Sequence, residues 1–243
     1  MEHGMDGIPA AKRSERRPFV GDATRFRRTM MGACLIVGPA IAVAGGLATP
    51  WESEATVASY LQALGENPIQ AQASAILLYF GYLLTAVGIF GMIHVVKERA
   101  VVLAHVAGIF AVWGWISLPG LLVTDFYDLS LAQFDDRQAA VAISERAGEY
   151  AGSAVLGMPV LFGFIGLAVL VFALWRAGFA PVWVPLVFLA GFAMSFFGPV
   201  GVVSFTVGFA LALVSLGYVG MKILRMSDEE WERGGNSPGA VRG

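Results

Sequence analysis

Two histidines are the residues of this sequence whose chemistry could most readily support a bound group. His94 and His105 flank the charged turn of residues 97–100, so we expect them at similar depth on two antiparallel helices. Such a pair is typical of the two axial ligands of a b-type haem, or of part of a metal site. A turn this short keeps its helices packed about 8 to 10 Å apart, which leaves no room for a haem. Haem is therefore disfavoured, the metal is unknown, and the sequence favours hydrogen-bonded, structural histidines.

An acidic and aromatic cluster forms the other candidate site. Asp125, Tyr127 and Asp128 follow directly on an apolar run. A partly buried carboxylate in such a place can bind a cation or act as an acid or base. Further carboxylates follow in the same connection: Asp135, Asp136, Glu145 and Glu149. Their spacing fits no calcium-binding loop, and a solvated acidic loop is the competing interpretation. Asp125 is the best single candidate because it lies at the end of the run.

Apolar helices are the elements that must position these residues. Hydrophobic residues make up 57% of the 243 residues and charged residues only 14%, and the mean hydropathy is +0.69. These values lie far from those of soluble proteins. Six apolar runs have about the length needed to cross a hydrocarbon core of roughly 30 Å. The predicted spans are Thr29–Ala48, Gln72–Val96, Val101–Thr124, Ser153–Trp175, Ala180–Phe197 and Val200–Leu224. The sequence predicts an all-α, polytopic membrane helix bundle with six transmembrane helices.

The segments outside the spans divide the chain further. Residues 1–28 are predicted to be a disordered, basic cytoplasmic arm, residues 29–225 the membrane domain, and residues 226–243 a polar cytoplasmic tail that begins with a short acidic helix. Helical periodicity near Val57–Leu64 and composition over Gln138–Tyr150 predict a short surface helix in each of the two outer loops. Of the 16 lysines and arginines, only Arg137 and Arg146 fall in outer segments. This asymmetry predicts a multi-pass protein of the cell membrane with both termini in the cytoplasm.

Small residues line one helical face in three spans, and in the second span they are Ser74, Gly81, Thr85 and Gly88. The first span carries Gly38, Ala42 and Gly46, and the sixth carries Ser204, Gly208 and Ala212. Small residues at this spacing let helices approach closely, which is how transmembrane helices gain packing energy. Besides the lipid bilayer, the sequence therefore suggests another membrane protein, or further copies of this chain, as partners.

Signatures of known catalytic sites are absent from the sequence. It contains no phosphate-binding G-x-x-x-x-G-K-[ST], no G-x-S-x-G nucleophile elbow and no H-E-x-x-H zinc site. Cys34 is the single cysteine, so no disulfide can form within the chain. The sequence favours a protein that is not an enzyme, and nothing in it indicates nucleic-acid binding.

Several short motifs are shared with a group of bacterial membrane proteins. They are Gly38-Pro39, the loop segment Val57–Leu61, Asp125 at the end of the third span, and Leu174–Gly178 followed by Pro181 and Trp183. On these motifs the chain resembles small multi-span integral membrane proteins of unknown function, a type common in actinobacteria. The resemblance implies a bundle of about six spans and no assigned activity, so no functional residue carries over.

Three classes of function follow from these observations. The favoured one is a helix bundle without catalysis that binds a partner protein or lipid, as an accessory, regulatory or immunity-type component. A small-molecule transporter or exporter is the second. A membrane enzyme or b-type haem protein that uses His94 and His105, or Asp125, is the third. The sequence does not identify a substrate, a ligand or an oligomeric state.

Overall fold

The computed structural model describes residues 18–97, 99–199 and 201–234, and these residues form helices without any strand. In chain order the helices are α1 (Pro18–Ala48), α2 (Val57–Glu66), α3 (Pro68–His94), α4 (Val101–Ala132), α5 (Arg137–Glu149), α6 (Ala151–Arg176), α7 (Trp183–Phe197), α8 (Val202–Arg225) and α9 (Asp228–Arg233). The predicted all-α class is confirmed.

Five of these helices are long and apolar enough to cross a membrane: α1, α3, α4, α6 and α8. The predicted count of six is close, because α7 is apolar but has only 15 residues. At about 1.5 Å per residue it reaches roughly 22 Å, which is short of a hydrocarbon core of about 30 Å. The chain is a multi-pass membrane helix bundle.

A non-helical segment replaces the first turns of the predicted fifth span. Gly178 adopts a φ of 76° directly after α6, and Pro181 has no N–H to donate to a helix. Phe179 and Ala180 are nevertheless buried, and Lys222 Nζ of α8 donates a hydrogen bond to the Phe179 carbonyl oxygen. This non-helical segment therefore packs against the part of α8 that a longer α7 would have covered.

The six long or apolar helices form a closed ring. Its order is α1, α3, α4, α6, α7 and α8, and α8 packs back on α1. The contact between α6 and α7 is the least extensive of the six. Leu167, Leu170 and Leu174 of α6, together with Leu216 of α8, are fully buried in the interior.

Small residues mark the places where the helices of the ring touch. A Cβ atom added at Gly38 would lie 2.6 Å from the backbone nitrogen of Thr85 in α3. One added at Gly208 would lie 2.7 Å from the carbonyl oxygen of Gly191 in α7. The predicted small-residue stripes are thus used in contacts within the chain, as expected where van der Waals packing drives helix association.

The bundle has two ends of different charge. The end formed by the start of α1, the α3–α4 and α6–α7 turns and α9, called the basic face below, carries Arg25, Arg27, Arg28, Lys97, Arg99, Arg176, Lys222, Arg225 and Arg233. The opposite end, called the acidic face, carries the surface helices α2 and α5, both of which were predicted. Asp136 caps α5 by accepting a hydrogen bond from Ala139 N at 3.0 Å.

Two more predicted boundaries differ from the observed ones. Helix α1 begins at Pro18, so residues 18–28 of the predicted arm are helical, while residues 1–17 lie outside the described part of the chain. Helix α4 continues past Thr124 to Ala132, and it therefore includes Asp125 and Asp128. Polar residues do not end this helix because its last turns pack against α2 and α5 instead of facing lipid.

Candidate functional site

The two candidate histidines have separate partners at the basic face. The His94 ring stacks on the Trp231 ring of α9, with centroids 4.1 Å apart and planes inclined by 25°. His94 Nε2 lies 3.0 Å from the Trp231 carbonyl oxygen, and since a carbonyl can only accept, Nε2 carries the proton. His105 Nδ1 lies 2.8 Å from the carbonyl oxygen of Val101 on its own helix, and its side chain is exposed.

This arrangement leaves no shared ligand set at the histidines. Within residues 18–97, 99–199 and 201–234, no group of three His, Cys, Asp or Glu side chains could hold a metal ion. Haem ligation would need both rings to face one space, whereas one ring is covered by a tryptophan and the other points away from the bundle. We therefore assign neither a haem nor a metal to these two histidines.

Helix α9 is the short acidic helix that the sequence predicts, but its docking against the bundle was not predicted. Trp231 is 3% exposed, and Asp228 forms an ion pair with Arg28 at 3.1 Å. Ser227 and Glu230 make a reciprocal capping box at the start of the helix. The S-x-x-E spacing with a lone tryptophan just behind it was the available signal. This pattern indicates a helix that docks on the bundle.

Asp125 lies at a small chamber near the acidic face. The chamber has a volume of about 40 Å³ and is bordered by the ends of α1, α3 and α4 and by α2. Tyr60 of α2 points its hydroxyl at Asp125 Oδ1 across 3.5 Å, which is long for an O–H···O hydrogen bond. On the other side, Ser74 donates to the Gly45 carbonyl oxygen at 3.0 Å and lies 2.6 Å from Thr49 Oγ1.

The polar groups of the chamber lie in a recess under α2 whose lining is otherwise mostly apolar. Burial raises the pKa of Tyr60 above its ordinary value, and the carboxylates of Asp125, Asp128 and Glu52 raise it further. The Tyr60 hydroxyl therefore stays protonated and remains a donor. A space of this size holds one or a few water molecules or a small cation. It offers one carboxylate and several hydroxyls, without a nucleophile held against a base.

The structure does not gather the other acidic candidates around this chamber. Tyr127 is 70% exposed and Asp128 is half-buried one turn beyond Asp125. The carboxylates of the following connection are exposed along α5 or its cap: Asp135, Asp136, Glu145 and Glu149. Of the acidic cluster predicted from the sequence, Asp125 alone borders the chamber.

A helix surface without a partner is the second feature that the sequence did not reveal. Along α6, Gly152, Leu156, Pro159, Gly163 and Gly166 recur every three or four residues and therefore share one face. We call this row the α6 seam. Its inner half, from Pro159 to Gly166, is buried against α4, and Gly163 touches the backbone of Gly114.

The outer half of the α6 seam is uncovered. Every residue from 151 to 156 is exposed, Leu156 is 68% exposed, and a Cβ atom added at Gly152 would meet nothing within 4 Å. On α4, a Cβ atom added at Gly120, directly after Pro119, would likewise meet nothing within 4 Å. The limited contact with α7 does not close the gap. Two turns of an apolar helix thus lack a protein neighbour.

The chain matches no protein-family model, no curated protein and no solved structure. The resemblance to small actinobacterial membrane proteins accordingly stays a prediction.

Proposed function

We propose that this protein is an accessory membrane component that binds a transmembrane helix of another membrane protein along the outer half of the α6 seam. One observation carries the proposal: the seam is a single row on one helix face, packed at Gly163 and open at Gly152. In the rest of the ring, glycines such as Gly38, Gly114 and Gly191 touch a neighbouring helix. An open glycine on the same row is the surface that a further helix would fill.

Charge favours a different protein over a second copy of this chain. Glu145 and Glu149 of α5 are exposed just before α6 begins. Two copies joined through this seam would bring these like charges together, which disfavours association. A partner helix that is followed by basic residues at this end of the membrane would instead complement them. The proposed partner is therefore a membrane protein with a basic segment beside its transmembrane helix.

Photocrosslinking from the seam tests this proposal. A photoreactive amino acid at Leu156 is expected to give one protein adduct of defined mass in native membranes. Gly152→Leu should abolish the adduct by filling the seam. Gly217→Leu is the matched control, because Gly217 lies on α8 and only a side chain of its own helix comes near it. Adducts to lipid alone would refute partner binding, and an adduct of twice the chain mass would refute a partner of another kind.

A small-molecule transporter is the second candidate, and the position of Asp125 favours it. This carboxylate lies within a helix long enough to span the membrane, and it borders a small chamber. Carboxylates in such helices commonly mark ion or substrate pathways. Reconstitution into liposomes with a proton or sodium gradient and a broad substrate panel tests this function. Uptake that depends on the gradient and is lost in Asp125→Asn would favour transport over partner binding.

A further inference from the structure

A wide cavity lies at the basic face, at the end of the α4–α6 pair opposite the open part of the seam. It is lined by Arg99 and Ala100 of the α3–α4 turn, Leu103 of α4 and Arg176 at the end of α6. It is open on one side to its surroundings and has a volume of about 630 Å³. Two guanidinium groups from separate turns thus border one space.

The cations of this cavity differ from others at the same face. Arg28 is held by Asp228 at 3.1 Å, and Lys97 donates a hydrogen bond to the Glu232 carbonyl oxygen. Arg99 and Arg176 are exposed. Neither forms an ion pair with a carboxylate of the described residues, and Glu98 is not one of those residues. Their charge is available to an anion.

The start of α4 adds to the positive potential of the cavity. Ala100 precedes the helix with a φ of 60° and gives no side-chain cap, and the first turn of α4 contains no acidic residue. The free N–H groups of that turn therefore stay at this end of the bundle, where they favour negative charge.

The wall of the cavity continues into an apolar surface. Leu103, Val106 and Phe110 of α4 are exposed, as is Phe172 of α6. In a membrane these side chains face the acyl chains of the leaflet next to the basic face. The combination therefore offers a positive pocket at headgroup depth and an apolar surface directly below it.

We propose that this cavity binds the phosphate headgroup of an anionic phospholipid, with Arg99 and Arg176 on the phosphate and the acyl chains along α4. Arginine suits this role because its planar guanidinium group can donate two parallel hydrogen bonds to phosphate oxygens. Basic pockets between membrane helices are a common form of site for anionic lipid. The site is independent of the partner-binding seam.

Lipid binding to the delipidated full chain in detergent tests the assignment. We expect phosphatidylglycerol to raise the thermal midpoint, and phosphatidylcholine to have little effect. Arg99→Gln and Arg176→Gln should each weaken the apparent affinity about fivefold, and the double variant more. Arg225→Gln is the matched control, since Arg225 is exposed at the same face but outside the cavity. Lysine at both positions should retain part of the affinity, because it keeps the charge without the planar fork.

Inorganic phosphate distinguishes a lipid site from a site for free anions. Millimolar phosphate should neither raise the midpoint nor displace the lipid. Equal binding of phosphatidylcholine, or an unchanged affinity in the double Gln variant, would overturn the proposal. Full displacement of the lipid by phosphate would assign the cavity to a soluble anion and likewise overturn it. All variants replace exposed side chains, and helical content by circular dichroism verifies that they fold.

Discussion

An aromatic pair is one of the contacts that attach α9 to the bundle. Trp231 is buried against His94, and its carbonyl oxygen accepts a hydrogen bond from His94 Nε2. Stacked aromatic pairs contribute about 0.5 to 1.5 kcal/mol beyond the area that they bury. The histidine thus combines an apolar surface with one directed donor, two properties that no aliphatic residue offers together.

Replacing His94 should loosen α9 without removing a cofactor. His94→Gln loses the stacking and is expected to lower the free energy of unfolding by about 0.5 to 1.5 kcal/mol, while Trp231→Ala should release α9. Limited trypsin digestion detects this release as faster cleavage after Arg225. His105→Gln is the control, since His105 bonds only to its own helix. A Soret band or bound metal that disappears in either histidine variant would contradict structural histidines.

The Tyr60 hydroxyl should make the stability of the protein fall at high pH. Its pKa is raised in the folded protein, mainly by burial, and is close to 10 in the unfolded chain. Above about pH 10 the unfolded chain releases a proton that the folded protein keeps, so the free energy of unfolding decreases as the pH rises. Tyr60→Phe should remove this part of the decrease and leave the pH dependence below pH 9 unchanged. Chemical unfolding between pH 7 and 11 measures both slopes, and parallel slopes would contradict the prediction.

Sequence reasoning found the chemically capable residues but not their neighbours. His94, His105 and Asp125 were all identified, because ionisable groups in or beside apolar runs are conspicuous. That Asp125 lies opposite Tyr60 depends on how α2 folds back over the chamber, and the contact joins residues 65 positions apart. The stacking of His94 on Trp231 joins residues even farther apart. Such contacts follow from the packing of whole helices, which periodicity does not determine.

The glycines of the α4–α6 pair are expected to respond in opposite ways to the same change. A Cβ atom at Gly114 would collide with the backbone of Gly163, whereas one at Gly152 enters open space. Gly114→Ala should therefore destabilise the bundle by about 1 to 3 kcal/mol through overpacking. Gly152→Ala should be neutral or stabilise by up to about 1 kcal/mol, since alanine favours the helix. Thermal unfolding in detergent compares them, and equal losses would show that both halves of the seam are packed.

Helix positions were more predictable than helix ends. Apolar runs located all six helices of the ring, because lipid-facing and interior positions are both hydrophobic in a membrane protein. The start of α1 was misplaced because Arg25, Arg27 and Arg28 suggested a disordered arm. In the structure, Arg28 satisfies the end of α8 by donating to the Leu224 carbonyl oxygen at 2.8 Å. Charge at a helix end thus has a structural use that composition alone does not show.

The whole molecule is polarised from the basic to the acidic face, and this polarity predicts its orientation. The positive-inside rule predicts that the basic face, which carries the start of α1 and helix α9, lies in the cytoplasm. In a Cys34→Ala background, Ser53→Cys and Gln133→Cys should react with a membrane-impermeant thiol reagent added to intact cells. Glu229→Cys on α9 should react only after the cells are opened. Labelling of Glu229→Cys in intact cells would reverse the orientation and leave the fold unchanged.

Closure of the ring between α1 and α8 also determines when each surface of the chain is covered during synthesis. Helices α1 and α3 are made first and can pair early through Gly38 and Gly81. The opposite side of α1, where Gly32 meets Gly220, waits for the last long helix to leave the ribosome. Until then this side of the first helix is open to lipid, to the insertion machinery and to proteolytic surveillance. Helix α1 is thus made before α3 but is covered by its neighbours only after α8 is made, and a chain that stops before Val202 leaves α1 permanently half-covered.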